Sequence, residues 1–215
     1  MKKPLFALAL AASTTLAVTG ISAQDESQIP GQMDVSRVTA GQYALDPAHT
    51  LVSWEVSHFG FNDYFGLFGD IEGTMTLDPA DIAATKFDIT VPITSVAVPS
   101  EGLREHLLRP GEDGGNPDFF GANPAPARFV STSVRQTGDT TAVVSGQLTM
   151  NGNTGPVTML VQFSGAGNNP MSEAPTVGFH ARATIDRTQW GVDYAAPMVG
   201  SDVDLDISAA FELQE

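Results

Sequence analysis

The sequence predicts an all-β fold, an antiparallel β-barrel of about eight strands with one short helix. Three observations carry this. Apolar residues recur at every second position over long stretches, 21 Gly and 14 Pro break the chain at short intervals, and one segment alone has a convincing helical pattern. With 215 residues, 42% of them hydrophobic and 16% charged, the chain can build one substantial core and suits a single domain.

The first 23 residues read as an address. Met1-Lys2-Lys3 is a positive start, Leu5 to Val18 is apolar and small, and Ile21-Ser22-Ala23 offers a cleavage site before Gln24. Ser13, Thr14 and Thr15 dilute the apolar run, which is shorter than the roughly 20 residues of a spanning helix. A cleavable signal peptide over 1–23 is expected, and with it export. Residues 24–41 follow neither period and are expected as a flexible leader, with the barrel domain over 42–215.

Within the domain, Val52, Trp54, Val56 and His58 share one face of a strand. Phe59, Phe61, Tyr64, Phe65 and Phe68 then make an aromatic stretch interleaved with Gly60, Gly66 and Gly69, suited to a tunnel rim. Ile71, Gly73, Met75 and Leu77 alternate next, followed by Phe87, Ile89, Val91 and Ile93. Ser100 to Leu108 is the helix, with Ser100 placed to cap it and Leu103 and Leu107 on one side. Gly111 to Pro117 is a loop by composition, and Phe129 to Arg135 is a weaker strand. Ala142 to Met150 and Val157 to Phe163 alternate on either side of Asn151-Gly152-Asn153-Thr154-Gly155, a strong hairpin signal because Asn and Gly tolerate positive φ. Val177, Phe179, Ala181, Ala183 and Ile185 form another long face. The last strand sets Val203, Leu205, Ile207, Ala209, Phe211 and Leu213 against Asp202, Asp204, Asp206, Ser208 and Glu212. One apolar face per strand requires the sheet to roll up or pair.

Composition also excludes functions. A net charge of -15 repels phosphate backbones, so no nucleic-acid partner is expected. There is no cysteine, and the four His have no ligand spacing, so no metal site is expected. Asp202, Asp204 and Asp206 point outward along a strand and lack the loop of a calcium site. No nucleophile elbow, zinc-protease pair or phosphate-binding loop is present, so the chain is expected not to be an enzyme and to have no catalytic residue. An enzyme would instead show a His–carboxylate pair converging with Ser95 or Ser131. Asp186 and Arg187 are expected to form an ion pair capping the barrel beside Trp190, and His49 to fix the start of a strand after Asp46-Pro47.

Tyr43-Ala44-Leu45-Asp46 with Pro47-Ala48-His49-Thr50, Val56-Ser57-His58-Phe59-Gly60, Gly66-Leu67-Phe68 and Ile71-Glu72-Gly73 resemble the opening of the YceI-like polyisoprenoid-binding family. The resemblance continues in order through Ser95-Val96, His106-Leu107, Phe119-Phe120, Ala127-Arg128-Phe129, Gly146 to Gly152 and Arg187-Thr188-Gln189-Trp190-Gly191. It departs at Leu108 to Asp118, which is Gly- and Pro-rich here, and at Gly155-Pro156, where the family often has a Lys before the Pro. The resemblance implies a lipocalin-like barrel whose apolar tunnel holds a polyisoprenoid chain, commonly of an isoprenoid quinone, and a periplasmic location. It makes that lipid the bound ligand, without a catalytic cofactor. The residues expected to line the site are Trp54, Val56, His58, Phe59, Phe65, Phe68, Met75, Phe163 and Phe179. Transient membrane contact and a homodimer stay open, as does the alternative of a periplasmic stress-response or structural partner protein whose barrel is filled.

Overall fold

The computed structural model describes residues 29–214, so the expected signal peptide lies outside the described residues. Ten strand segments form a single antiparallel sheet: β1 (Gly41–Leu45), β2 (Leu51–His58), β3 (Asn62–Phe68), β4 (Glu72–Leu77), β5 (Lys86–Val91), β6 (Ala127–Gly138), β7 (Thr141–Met150), β8 (Asn153–Asn168), β9 (Pro175–Asp186) and β10 (Val199–Leu213). The helix α1 (Glu101–Leu107) is capped as expected, with Ser100 Oγ accepting from the Leu103 N–H at 3.2 Å.

The sheet runs β1-β4-β5-β6-β7-β8-β9-β10 and closes through β1 against β10, giving an eight-stranded barrel. β2 and β3 are extensions of that ring. Tyr43–Leu45 pair with Leu213–Phe211, and further along the same edge of β10 residues 51–56 pair with 208–203. β1 and β2 are therefore two halves of one long strand, as are β3 and β4. The first break, at Asp46-Pro47-Ala48-His49, is fastened rather than loose. Asp46 accepts from the Ala48 N–H and pairs with His49 Nδ1 at 2.6 Å, and the Asp46 N–H donates to the Ala210 carbonyl. His49 thus fixes the strand start, as its position suggested.

β7 and β8 meet through a two-residue turn in which Asn151 and Gly152 both have positive φ, 52° and 79°, the combination of a type I′ hairpin. Inward parity agrees around the barrel with the sequence alternation: Leu205 faces Trp54 and Ala183, Phe163 faces Phe179, and Met75 faces Tyr43 and Phe87. One end is a packed floor of Tyr43, Leu45, Ile71, Met75, Leu77, Phe163, Val177 and Phe211, in which Met75 is wholly buried. A second cluster, Phe129, Val134, Val144, Val157, Ile185 and Trp190, fills the β6–β9 side.

The segment expected to lead mobile into the domain is, over its described part, laid along the barrel wall. Gln32 and Ala166 exchange backbone hydrogen bonds at 3.0 and 2.8 Å, Tyr43 donates to the Thr39 carbonyl, and Val38 packs on the floor cluster.

Candidate functional site

Above the floor, the inward face changes character. Val52, Trp54 and Val56 on β2 and Val203, Leu205, Ile207 and Ala209 on β10 all point into the barrel, yet each is only half-buried. Val52 and Ala209 pack against the floor cluster and Val203 and Leu205 against the second, so this inward face is apolar yet less completely covered than the floor residues. Beyond this apolar face, α1, the 108–126 excursion and the 187–198 segment make up a cover in which the His106 ring meets Phe119 and Tyr194.

The cover is held by polar contacts that sequence alternation does not encode. Arg187 is buried, and its guanidinium donates to four backbone carbonyls, those of Gly200, Val192, Tyr194 and Val199. This corrects the expected ion pair with Asp186, whose carboxylate instead accepts from the Thr188 N–H and hydroxyl, bonds that hold it below the usual carboxylate range. Burial pushes Arg187 down from its ordinary value, opposed by the nearby charges of Asp193 and Asp186. Trp190 anchors the same turn by donating to the Leu148 carbonyl at 2.9 Å. In the Gly- and Pro-rich loop, Asp118 takes both His106 Nε2 (2.6 Å) and Arg109 (3.0 Å), and those two partners lower its pKa, His106 more than Arg109. The His106 ring meets Phe119 and Tyr194 edge-on at 5.1 and 5.0 Å, tying α1 to the cover.

The structure divides the expected site residues. Trp54, Val56 and His58 share the inward face of β2, and Phe68 joins them opposite Val52. Met75 and Phe163 lie inside but belong to the floor, with Phe179 half-buried on top of Phe163 and Phe211. Phe65 faces outward beside Ser53 and Glu55 and is 58% exposed, while Phe59 sits at the β2–β3 turn with φ 57°, its ring against His58. These two placements correct the expectation of a single aromatic rim: neither ring is on the lumen wall. Tyr64, stacked on Trp54 at 6.3 Å, is the wall residue the site expectation lacked, and the even parity it shares with Gly66 and Phe68 was the available signal.

The two serines considered for an acid–base site both bond to backbone groups. Ser95 Oγ donates to the Pro92 carbonyl and accepts from the Gly69 N–H, and Ser131 Oγ accepts from the Phe87 N–H. No group of three His, Asp or Glu able to hold a metal occurs among the described residues. On the outer face, Asp204 accepts from Thr184 and Asp206 from Arg182, consistent with a solvated strand face.

A closed antiparallel barrel with one short helix and an apolar interior places the protein in the lipocalin-like class. The YceI-like domain matches residues 43–211, nearly the whole barrel, and the chain belongs to that family. It is 33% identical over 179 residues to a UPF0312 protein of Pseudomonas fluorescens and 32% to one of Pseudomonas putida, in each case covering 82% of this chain and 88% of the relative. Among solved structures, BcnA of Burkholderia cenocepacia superposes with a TM-score of 0.65 at 22% identity, over 77% of this chain and 98% of that one. The YCEI protein of Campylobacter jejuni gives 0.61 at 21%, over 74% and 90%. A polyisoprenoid binding domain from Saccharophagus degradans, implicated in plant cell wall breakdown, gives 0.52 at 12% identity, over 82% and 100%.

Proposed function

We propose that the protein binds an isoprenoid lipid in the barrel lumen, storing or carrying it through an aqueous compartment without chemistry of its own. The observation that carries this reading is the half-buried apolar wall of β2 and β10 standing above a sealed floor. A prenyl chain is strongly driven into such a space, because each buried methylene contributes about 0.8 kcal/mol. The likeness to a structure described as a polyisoprenoid binding domain supports the ligand class. Within it, an isoprenoid quinone suits a site with few polar groups, of which His58 at the top of β2 is the one placed to meet a head group. The periplasm is the proposed compartment, supported by the signal-like residues 1–23.

The test is to purify the mature protein, extract it with organic solvent and identify bound lipid by mass spectrometry. Near-stoichiometric prenyl lipid is the expected result. Empty protein that also refuses added prenyl quinone and polyprenol would overturn the reading in favour of a filled barrel with a surface partner.

A further inference from the structure

β3 is the weak place in the barrel wall. One edge is paired with β2 along its length, but the other meets the rest of the ring at a single bridge, where Leu67 and Ala97 exchange backbone bonds of 2.9 Å each. Below the bridge, the Gly69 N–H reaches Ser95 Oγ at 3.1 Å. Above it, the strap of residues 93–99 turns away into α1, and among the described residues no strand lies beside the edge of β3 from Asn62 to Gly66. The strap is anchored at its root by buried Ile93 and Val96 and by Arg104, which donates to the Val96 and Thr94 carbonyls. Ala97 and Pro99, beyond that anchor, are exposed.

Two further features meet at this seam. Outside it lies a cleft of about 470 Å³ lined by Phe65, Gly66, Leu67, Ala97, Val98 and Pro99, with Ser53 its one polar residue. Inside it, the Trp54 indole lies directly on Gly66: a Cβ at that glycine would stand 2.2 Å from the ring. The wall here is therefore one backbone thick. The Trp54 indole N–H is buried and has no hydrogen-bond partner among the described residues, so packing alone holds the ring in place.

We propose that the isoprenoid chain passes between solvent and lumen sideways through the seam between β3 and the 93–99 strap, landing first in the outer cleft, with Trp54 as the inner gate. The proposal rests on the lumen reading above. A lateral slit lets the tail slide in while a polar head stays in water. It needs only the Leu67–Ala97 bridge and the Ser95 contact to open, whereas passage through the cover would disrupt the four bonds of Arg187. It also gives outward-facing Phe65 a role on the path rather than in the lumen.

The chain has no cysteine, so one disulfide can lock the seam cleanly. Leu67 and Ala97 face each other as a hydrogen-bonded antiparallel pair, a separation of about 5.5 Å between Cα atoms that a disulfide can span. The experiment follows uptake of a prenylated benzoquinone by quenching of tryptophan fluorescence in the L67C/A97C double variant, oxidised and then reduced, beside wild type. The expected result is uptake slowed at least about tenfold when oxidised and restored by reduction. Phe65→Asp, which places a charge in the landing cleft without a new covalent bond, is expected to slow uptake and release from preloaded protein by the same factor, because the chain crosses the cleft in both directions while its bound state is unchanged. Equal uptake by oxidised and reduced protein, or by Phe65→Asp and wild type, would overturn the seam. Failure of wild type and reduced variant alike to take up the quinone or a polyprenol would overturn the lumen reading itself.

Discussion

Gly66 shows how one missing side chain shapes the wall. It allows the Trp54 ring to lie flat on β3, and its neighbours Phe65 and Leu67 are sent outward. Gly66→Ala is expected to displace the indole and change the tryptophan emission in the absence of any lipid. Unchanged emission would mean that the ring does not rest on that backbone. Residues that face the lumen should also separate from those that do not. Trp54→Ala and Phe179→Asp should each weaken lipid retention about tenfold or more, the second because an uncompensated carboxylate is costly in apolar surroundings. His180→Ala, on the exposed face, should leave retention unchanged. Extraction and quantification of retained lipid from the three variants checks this ordering. The sequence reveals the parity of β10, where the apolar residues from Val203 to Leu213 alternate with Asp, Ser and Glu at every position but Ala210. It does not reveal that of β3, because Phe61, Phe65 and Leu67 on one face and Tyr64 and Phe68 on the other are all apolar. Only pairing with β2 decides which set faces in.

Among the elements, the 191–200 segment depends on a single buried cation. Arg187→Ala removes the guanidinium and strands several carbonyls together, so a loss of about 3 kcal/mol is expected, equivalent to roughly 6–12 °C in melting temperature. Arg187→Lys should recover only part of it, since one ammonium cannot match the planar fork. Thermal unfolding of both variants measures this. The β5–β6 pair carries a different electrostatic signature. Arg128 donates two hydrogen bonds to Asp88, at 2.8 and 2.6 Å, and holds its carboxyl below the usual carboxylate range. A depressed native pKa contributes stability that is complete above the unfolded value and fades as pH falls through the native one. Asp88→Asn should therefore cost less than about 1 kcal/mol at neutral pH, both side chains being well exposed, and the deficit should vanish toward the acid limit. Urea denaturation across a pH series would show it. Patterning makes the strands and the Ser100-capped helix legible. It cannot show the splitting of β1 from β2 and of β3 from β4, nor the use of Arg187, because both depend on contacts distant in sequence.

At the level of the whole molecule, a charge of -15 acts on every membrane encounter. Vesicles of anionic lipid should bind the protein less than zwitterionic vesicles at low salt. The gap should shrink as the screening length falls to about 10 Å at 0.1 M salt. Flotation assays over a salt series test this, and preference for anionic vesicles would contradict it. The fold class and the inward alternation are readable from sequence because a barrel repeats one simple rule. The lumen is not, because free space depends on how closely opposing walls approach.

The closure of β1 on β10 also has a consequence for biosynthesis. The 15-residue strand β10 is the partner of β9, β2 and β1 together, so a chain made from its amino terminus cannot complete the ring until residues 199–213 are available. Until then β1, β2 and β9 each present a raw edge, and the pairing of Tyr43–Leu45 with Leu213–Phe211 spans nearly the whole domain. Such distant pairing places the barrel among slow-folding topologies. The arrangement that leaves the finished wall almost without edges also keeps the ring open until β10 has been made.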